Sequence, residues 1–161
     1  MKQICLYLLA TALLLSLTGC GSAEPDTLQE RFTFTYRDVL ILPGAEAAPV
    51  LEALGEPKSY TEEPSCAFEG MDKTYYYGSF YLTSCTVDGV DYVNMLWFAD
   101  DGVATDEGIS IGSTRTQVEE VYGRDCFNGT NSFVLTRGQT RLVIVLEEET
   151  VSSIRYEMIM E

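Results

Sequence analysis

A gap-free internal repeat constrains the fold of this chain more than any other feature of its sequence. Gly44-Ala-Glu-Ala-Ala-Pro-Val-Leu-Glu-Ala-Leu-Gly55 aligns with Gly112-Ser-Thr-Arg-Thr-Gln-Val-Glu-Glu-Val-Tyr-Gly123 at a constant offset of 68 residues. Gly44/Gly112, Val50/Val118, Glu52/Glu120 and Gly55/Gly123 are identical, and upstream Ile41 matches Ile109. In each copy one glycine leads into a short helix and another ends it, as expected of a C-terminal cap at positive φ. Thr114 and Gln117 have capping-box spacing. Pro49 must sit in the first turn, where its missing N–H is tolerated. Val50 with Leu54, and Val118 with Val121 and Tyr122, give each helix one apolar stripe. Helices of about ten residues are marginal alone, so each needs a surface to pack on.

The stretches after the repeats supply that surface as β-sheet. Phe32, Phe34 and Tyr36 alternate with threonines, a period-2 strand signal. After Gly55 the strands read as Ser65–Glu69, Thr74–Val87 and Tyr92–Ala99, with a hairpin at Asp88-Gly89 and a turn at Asp101-Gly102. After Gly123 they read as Phe133–Leu135, Arg141–Leu146 and Ile154–Met158, with turns at Asn128-Gly129 and over 147–150. In the last strand Ile154, Tyr156 and Met158 face one way and Arg155 and Glu157 the other, the pattern of an antiparallel sheet wetted on one face. The expectation is an α+β fold of two tandem units, about 39–107 and about 108–161. Each is a short helix packed on a three- to four-stranded antiparallel sheet, and together they form a single domain over 31–161.

The N-terminus adds location. Lys2 is the only charge before a run of mostly apolar residues from Ile4 to Leu17. That run falls short of the about 20 residues needed to span a bilayer and reads as a secretory signal. Its exit, Leu17-Thr18-Gly19-Cys20, resembles the lipobox of bacterial lipoproteins at all four positions. The resemblance implies removal of residues 1–19, a lipid on the Cys20 thiol, and a chain held outside the cytoplasmic membrane in the cell envelope. Residues 20–30 carry the lipidated cysteine and are small, polar and aperiodic, which suits a flexible tether.

The repeats, the strands that follow them and the lipobox together resemble the tandem-repeat fold of secreted β-lactamase inhibitor proteins. They are also similar to the small SmpA/OmlA-type envelope lipoproteins, which hold one such unit. The resemblance covers roughly residues 39–161 in layout and rests on four identities in a twelve-residue window. It implies a non-enzymatic protein whose sheet grips another protein. No inhibitory residue carries over, because no stretch matches an inhibitory loop.

Composition narrows the function classes. The full chain has a net charge of −15, and loss of Lys2 with the signal makes it −16. Such a surface excludes nucleic acid, whose affinity comes largely from Lys and Arg at phosphates. With no histidine in the chain, the commonest general base and the commonest metal ligand are both missing. The mature chain has two lysines, Lys58 and Lys73, neither in a Ser-x-x-Lys arrangement. Asp100, Asp101, Asp106 and Glu107 lack the spacing of an EF-hand loop. No metal, cofactor or catalytic residue is therefore assigned. Cys66, Cys85 and Cys126 remain in a compartment where disulfides persist, with Cys66–Cys85 the favoured pair and three buried thiols the alternative.

The aromatics of the first unit form the candidate partner-binding set. Tyr75, Tyr77 and Tyr81 share one strand parity, and Trp97 lies on the next strand. Tyr, Trp and Met are the residues enriched in protein-binding patches. Residues 42–109 hold 13 acids and two bases, while 110–161 hold eight acids and five arginines. An acidic rim around an aromatic patch would suit a basic envelope or extracellular protein. The other classes left open are an envelope-assembly or structural lipoprotein and a small-ligand binding protein.

Overall fold

The computed structural model describes residues 31–65, 70–124 and 126–160. The signal, Cys20, the tether and most of the Ser65–Glu69 segment lie outside the described residues. In chain order the elements are β1 (Phe34–Tyr36), β2 (Val39–Ile41), α1 (Ala47–Leu54), β3 (Ser59–Pro64), β4 (Met71–Tyr76), β5 (Phe80–Val87), β6 (Val90–Phe98), α2 (Arg115–Tyr122), β7 (Ser132–Arg137), β8 (Thr140–Glu147) and β9 (Thr150–Met158). Strands β1 and β2 form a hairpin of their own, and the other seven make one antiparallel sheet in the order β3-β4-β5-β6-β9-β8-β7.

That sheet overturns the expected α+β fold of two tandem helix-on-sheet units: the described residues are mostly β, with two short helices. The meander after α1 and the meander after α2 join where β6 pairs with β9, through Met95↔Glu157, Leu96↔Tyr156 and Trp97↔Arg155. The physical reason is edge chemistry: each meander alone would leave the N–H and C=O groups of its last strand unpaired, and the seam removes both edges at once. One row of cross-strand partners consequently runs through all seven strands: Tyr60, Tyr75, Leu82, Leu96, Tyr156, Leu142 and Leu135. The core is likewise one cluster, drawing on both helices, the hairpin and the sheet. Phe34 of β1 lies over the seam, its ring centroid 5.4, 5.1 and 6.2 Å from those of Phe80, Phe98 and Tyr156.

The internal repeat is a repeat of helix docking. Gly44 N–H donates to Val93 O at 2.7 Å and Val93 N–H to Ala45 O at 2.8 Å. The equivalent Gly112 N–H donates to Val151 O at 2.8 Å and Val151 N–H to Ser113 O at 2.8 Å. Each helix is thus launched from a short pairing with the N-terminal half of β6 or β9, and Gly44 (φ 89°) and Gly112 (φ 86°) make the turn. At φ values like these an L side chain costs roughly 1–2 kcal/mol. Gly55 and Gly123 end the helices at positive φ. The Thr114/Gln117 capping box is formed, whereas Glu46 at the start of α1 makes no side-chain cap. Ala47, Val50 and Val118 are buried, and Val121 lies outside the stripe, 41 % exposed.

Two strand expectations change. The run Thr74–Val87 is not one strand: it reverses after Tyr76, with Tyr77 N–H donating to Phe80 O and Gly78 at φ 104°. Strand β3, exposed at every residue, was not expected. Its Glu62, Glu63 and Pro64 give no alternation, and they are the residue types that blunt a sheet edge.

Candidate functional site: the outer sheet face

Alternation along the strands sends neighbours of the core row to the opposite face. There the register lines up Ser59, Tyr76, Tyr81, Trp97, Arg155, Val143 and Val134, one from each strand. Tyr76, Tyr81 and Trp97 are half-buried and stacked in a ridge. Their successive ring centroids are 4.5 and 4.9 Å apart, with interplanar angles of 26° and 13°. Side chains standing up from adjacent strands sit close enough for this contact, so the ridge follows from register alone. Thr74, Thr83, Met95, Glu157, Arg141 and Thr136 form the next row. The helices and the β1–β2 hairpin contribute to the core cluster on the other side. Val143 and Cys85 are buried yet lie outside that cluster.

The charged part of the face is a small triad. Glu157 accepts from Nη1 of Arg141 at 3.4 Å and from Nε of Arg155. The two arginine side chains are 41 % and 43 % exposed and the glutamate only 16 %. The guanidinium groups therefore meet solvent while the carboxylate lies beneath them.

The four aromatic residues singled out from parity separate. Tyr81 and Trp97 come together in the ridge. Tyr75 pairs with Tyr60 and Leu82 in the core-face row. Tyr77 is buried, stacked on Phe80 at 5.3 Å, and its hydroxyl donates to Gly55 O at 3.3 Å. Burial pushes its pKa up. The place expected of Tyr75 and Tyr77 is taken by Tyr76, because parity does not carry across the turn at 77–79. Of the favoured cysteine pair, Cys66 lies outside the described residues, and Cys85 is a free, buried thiol whose pKa is raised by burial.

Three of the four acids set against an EF-hand spacing are engaged locally. Asp106 accepts from Thr33 and from the Thr35 N–H, Asp100 from the Gly102 N–H, and Glu107 from Tyr122. Among the described residues no three His, Cys, Asp or Glu side chains gather to hold a metal. A depression of about 160 Å³ on α2, lined by Thr116, Glu119, Glu120 and Arg124, is small beside the roughly 300–1,000 Å³ of ligand sites. No helix among the described residues is long and apolar enough to cross a membrane.

No family model and no curated protein matches the chain. Among solved structures, an extracellular protein containing an SCP domain from Bacillus anthracis str. Ames is similar, with a TM-score of 0.42 and 13 % sequence identity. The likeness covers 91 % of this chain and 50 % of that one, so this chain spans half the length of its structural neighbour. At that distance neither activity nor partner carries over.

Proposed function

We propose that this protein is a lipid-anchored extracytoplasmic binding module that holds another envelope or extracellular protein on the outer face of its sheet. The observation that carries the reading is the stacked, half-exposed Tyr76–Tyr81–Trp97 ridge on a face to which no described helix or hairpin contributes. Large rings kept at a surface add little to the core and are the residue types that dominate contact energy between proteins. Binding rather than catalysis is supported by the absence of histidine. The anchor is supported by the lipobox at 17–20, which implies stable attachment through acyl chains at about 0.8 kcal/mol per buried methylene.

Two experiments test the reading. Mass spectrometry of the membrane-bound protein should find an acylated N-terminal Cys20, and Cys20→Ala should release the chain from the membrane fraction. Recovery of an unmodified N-terminus would remove the anchor. Capture from envelope extract should retain a discrete partner on the wild-type protein and on Glu120→Ala, and lose it at least tenfold on Trp97→Ala. Equal capture by all three would remove the outer face from the function.

A further inference from the structure

The outer face departs in charge from the chain that carries it. Arg155 pairs across the seam with Trp97, and Arg141 pairs with Glu157 from the far side of β9, so both arginines lie against one inward carboxylate. The other acids that alternation places on this face lie at its margins: Glu63 and Asp72 on β3 and β4, and Glu147 at the β8–β9 tip. Asp72 is three strands from Arg155, roughly 14 Å at the usual strand spacing. At physiological salt charges are screened over about 8 Å. Among the strand residues of this face, the charges nearest Trp97 are therefore two exposed guanidinium groups and one mostly covered carboxylate.

We propose that the occupant of this face is an acidic protein segment. Its carboxylates lie on Arg141 and Arg155, and its apolar side chains lie along the Tyr76–Tyr81–Trp97 ridge. The proposal rests on the reading of this face as the binding surface, and it reverses the basic partner expected from overall composition. Each arginine gives Glu157 one hydrogen bond, and guanidinium groups are suited to paired contacts with a carboxylate. An acidic polysaccharide offers the same charges but fits the ridge poorly. The rings lie against each other, 13° from parallel at Tyr81–Trp97, so their faces are covered where a sugar would need them open.

Trp97 is the chain's single tryptophan, which makes its fluorescence a local probe. The first arm compares quenching by iodide and by caesium at equal ionic strength. Iodide is expected to quench Trp97 better despite the −15 net charge, and Arg141→Gln/Arg155→Gln should reverse that order. The second arm titrates two soluble peptides of equal length, one with glutamates around two phenylalanines and one with lysine at each glutamate. The acidic peptide should bind more tightly, weaken at least tenfold in the double variant, and gain affinity on Glu157→Gln. Better quenching by caesium, or preference for the lysine peptide, would overturn the acidic occupant while leaving the face as a binding surface. Failure of both quenchers to reach Trp97 would overturn the binding surface itself. Binding of soluble polygalacturonate with no response to the acidic peptide would replace the protein segment by a polysaccharide.

Discussion

The two faces of the seven-stranded sheet share a backbone and almost nothing else. On one, Leu82, Leu96, Tyr156 and Leu142 are shut off from solvent under the helices and the hairpin. On the other, their chain neighbours Tyr81, Trp97 and Arg155 are half-buried and Val143 is buried outside the core cluster. Burial stabilises the first row at roughly 25 cal/mol per Å² of apolar surface. The second row, with Tyr76 beside it, leaves an indole and two phenols only partly covered, stacked on one another. The difference puts the core on one face and, on the proposed reading, the binding surface on the other, residue by residue along the same strands.

Substitutions break that division with effects of decreasing size. Phe34→Ala removes the ring that touches β5, β6 and β9 over the seam. It is expected to cost about 3–5 kcal/mol in guanidinium unfolding, and a loss below about 1 kcal/mol would detach the hairpin from the core face. Gly44→Ala and Gly112→Ala should each cost roughly 1–2 kcal/mol through their positive φ. An added Cβ meets only an ordinary 3.5 Å contact with Met158 at Gly44 and nothing within 4 Å at Gly112. The two losses should match; a difference above about 1 kcal/mol, beyond the spread of such backbone costs, would show that the two helices dock differently.

Smaller effects sharpen the margin and centre of the core face. Asp91 accepts from Lys73 at 2.5 Å and from Thr86 at 2.7 Å, and these bonds hold its carboxyl below the usual range. A lowered folded pKa means that the contribution is fully present above about pH 4, near the unfolded carboxyl value. It is lost as pH falls through the folded value. Asp91→Asn should therefore flatten the acid side of the stability profile measured by urea midpoints from pH 2.5 to 6. An unchanged acid slope would mean that the pair contributes nothing. Smallest is Tyr156→Phe, since the buried Tyr156 hydroxyl has no hydrogen-bond partner among the described residues. The variant should be neutral or up to about 1 kcal/mol more stable, and a clear loss would reveal a partner for that oxygen.

The helices, their glycine caps and the capping box were legible because each depends on neighbours within a dozen residues. The hairpin at Asp88-Gly89 was legible for the same reason: both residues take the positive φ of a tight turn. The seam was not legible. Pairing of β6 with β9 joins residues 58 to 62 apart, and hydrophobic patterns do not specify which strand edges meet. Arg155 illustrates the consequence. Its parity opposite Tyr156 is plain in the sequence, yet its place beside Trp97 depends on strand order. Tyr75 and Tyr77 were assigned to the outer face because Tyr75-Tyr76-Tyr77-Gly78-Ser79 reads as continuous strand, although it contains the reversal.

Leu96 and Trp97 are adjacent in β6 and point to opposite faces, so the most direct test is to truncate both and measure unfolding side by side. Leu96→Ala is expected to cost about 3 kcal/mol, as a buried leucine does. Trp97→Ala, although it removes the larger side chain, should cost less, about 2 kcal/mol, from its stacking on Tyr81 and its partly covered apolar area. A loss at Trp97 as large as that at Leu96 would mean that the outer face is a second core, and would contradict its assignment as a binding surface.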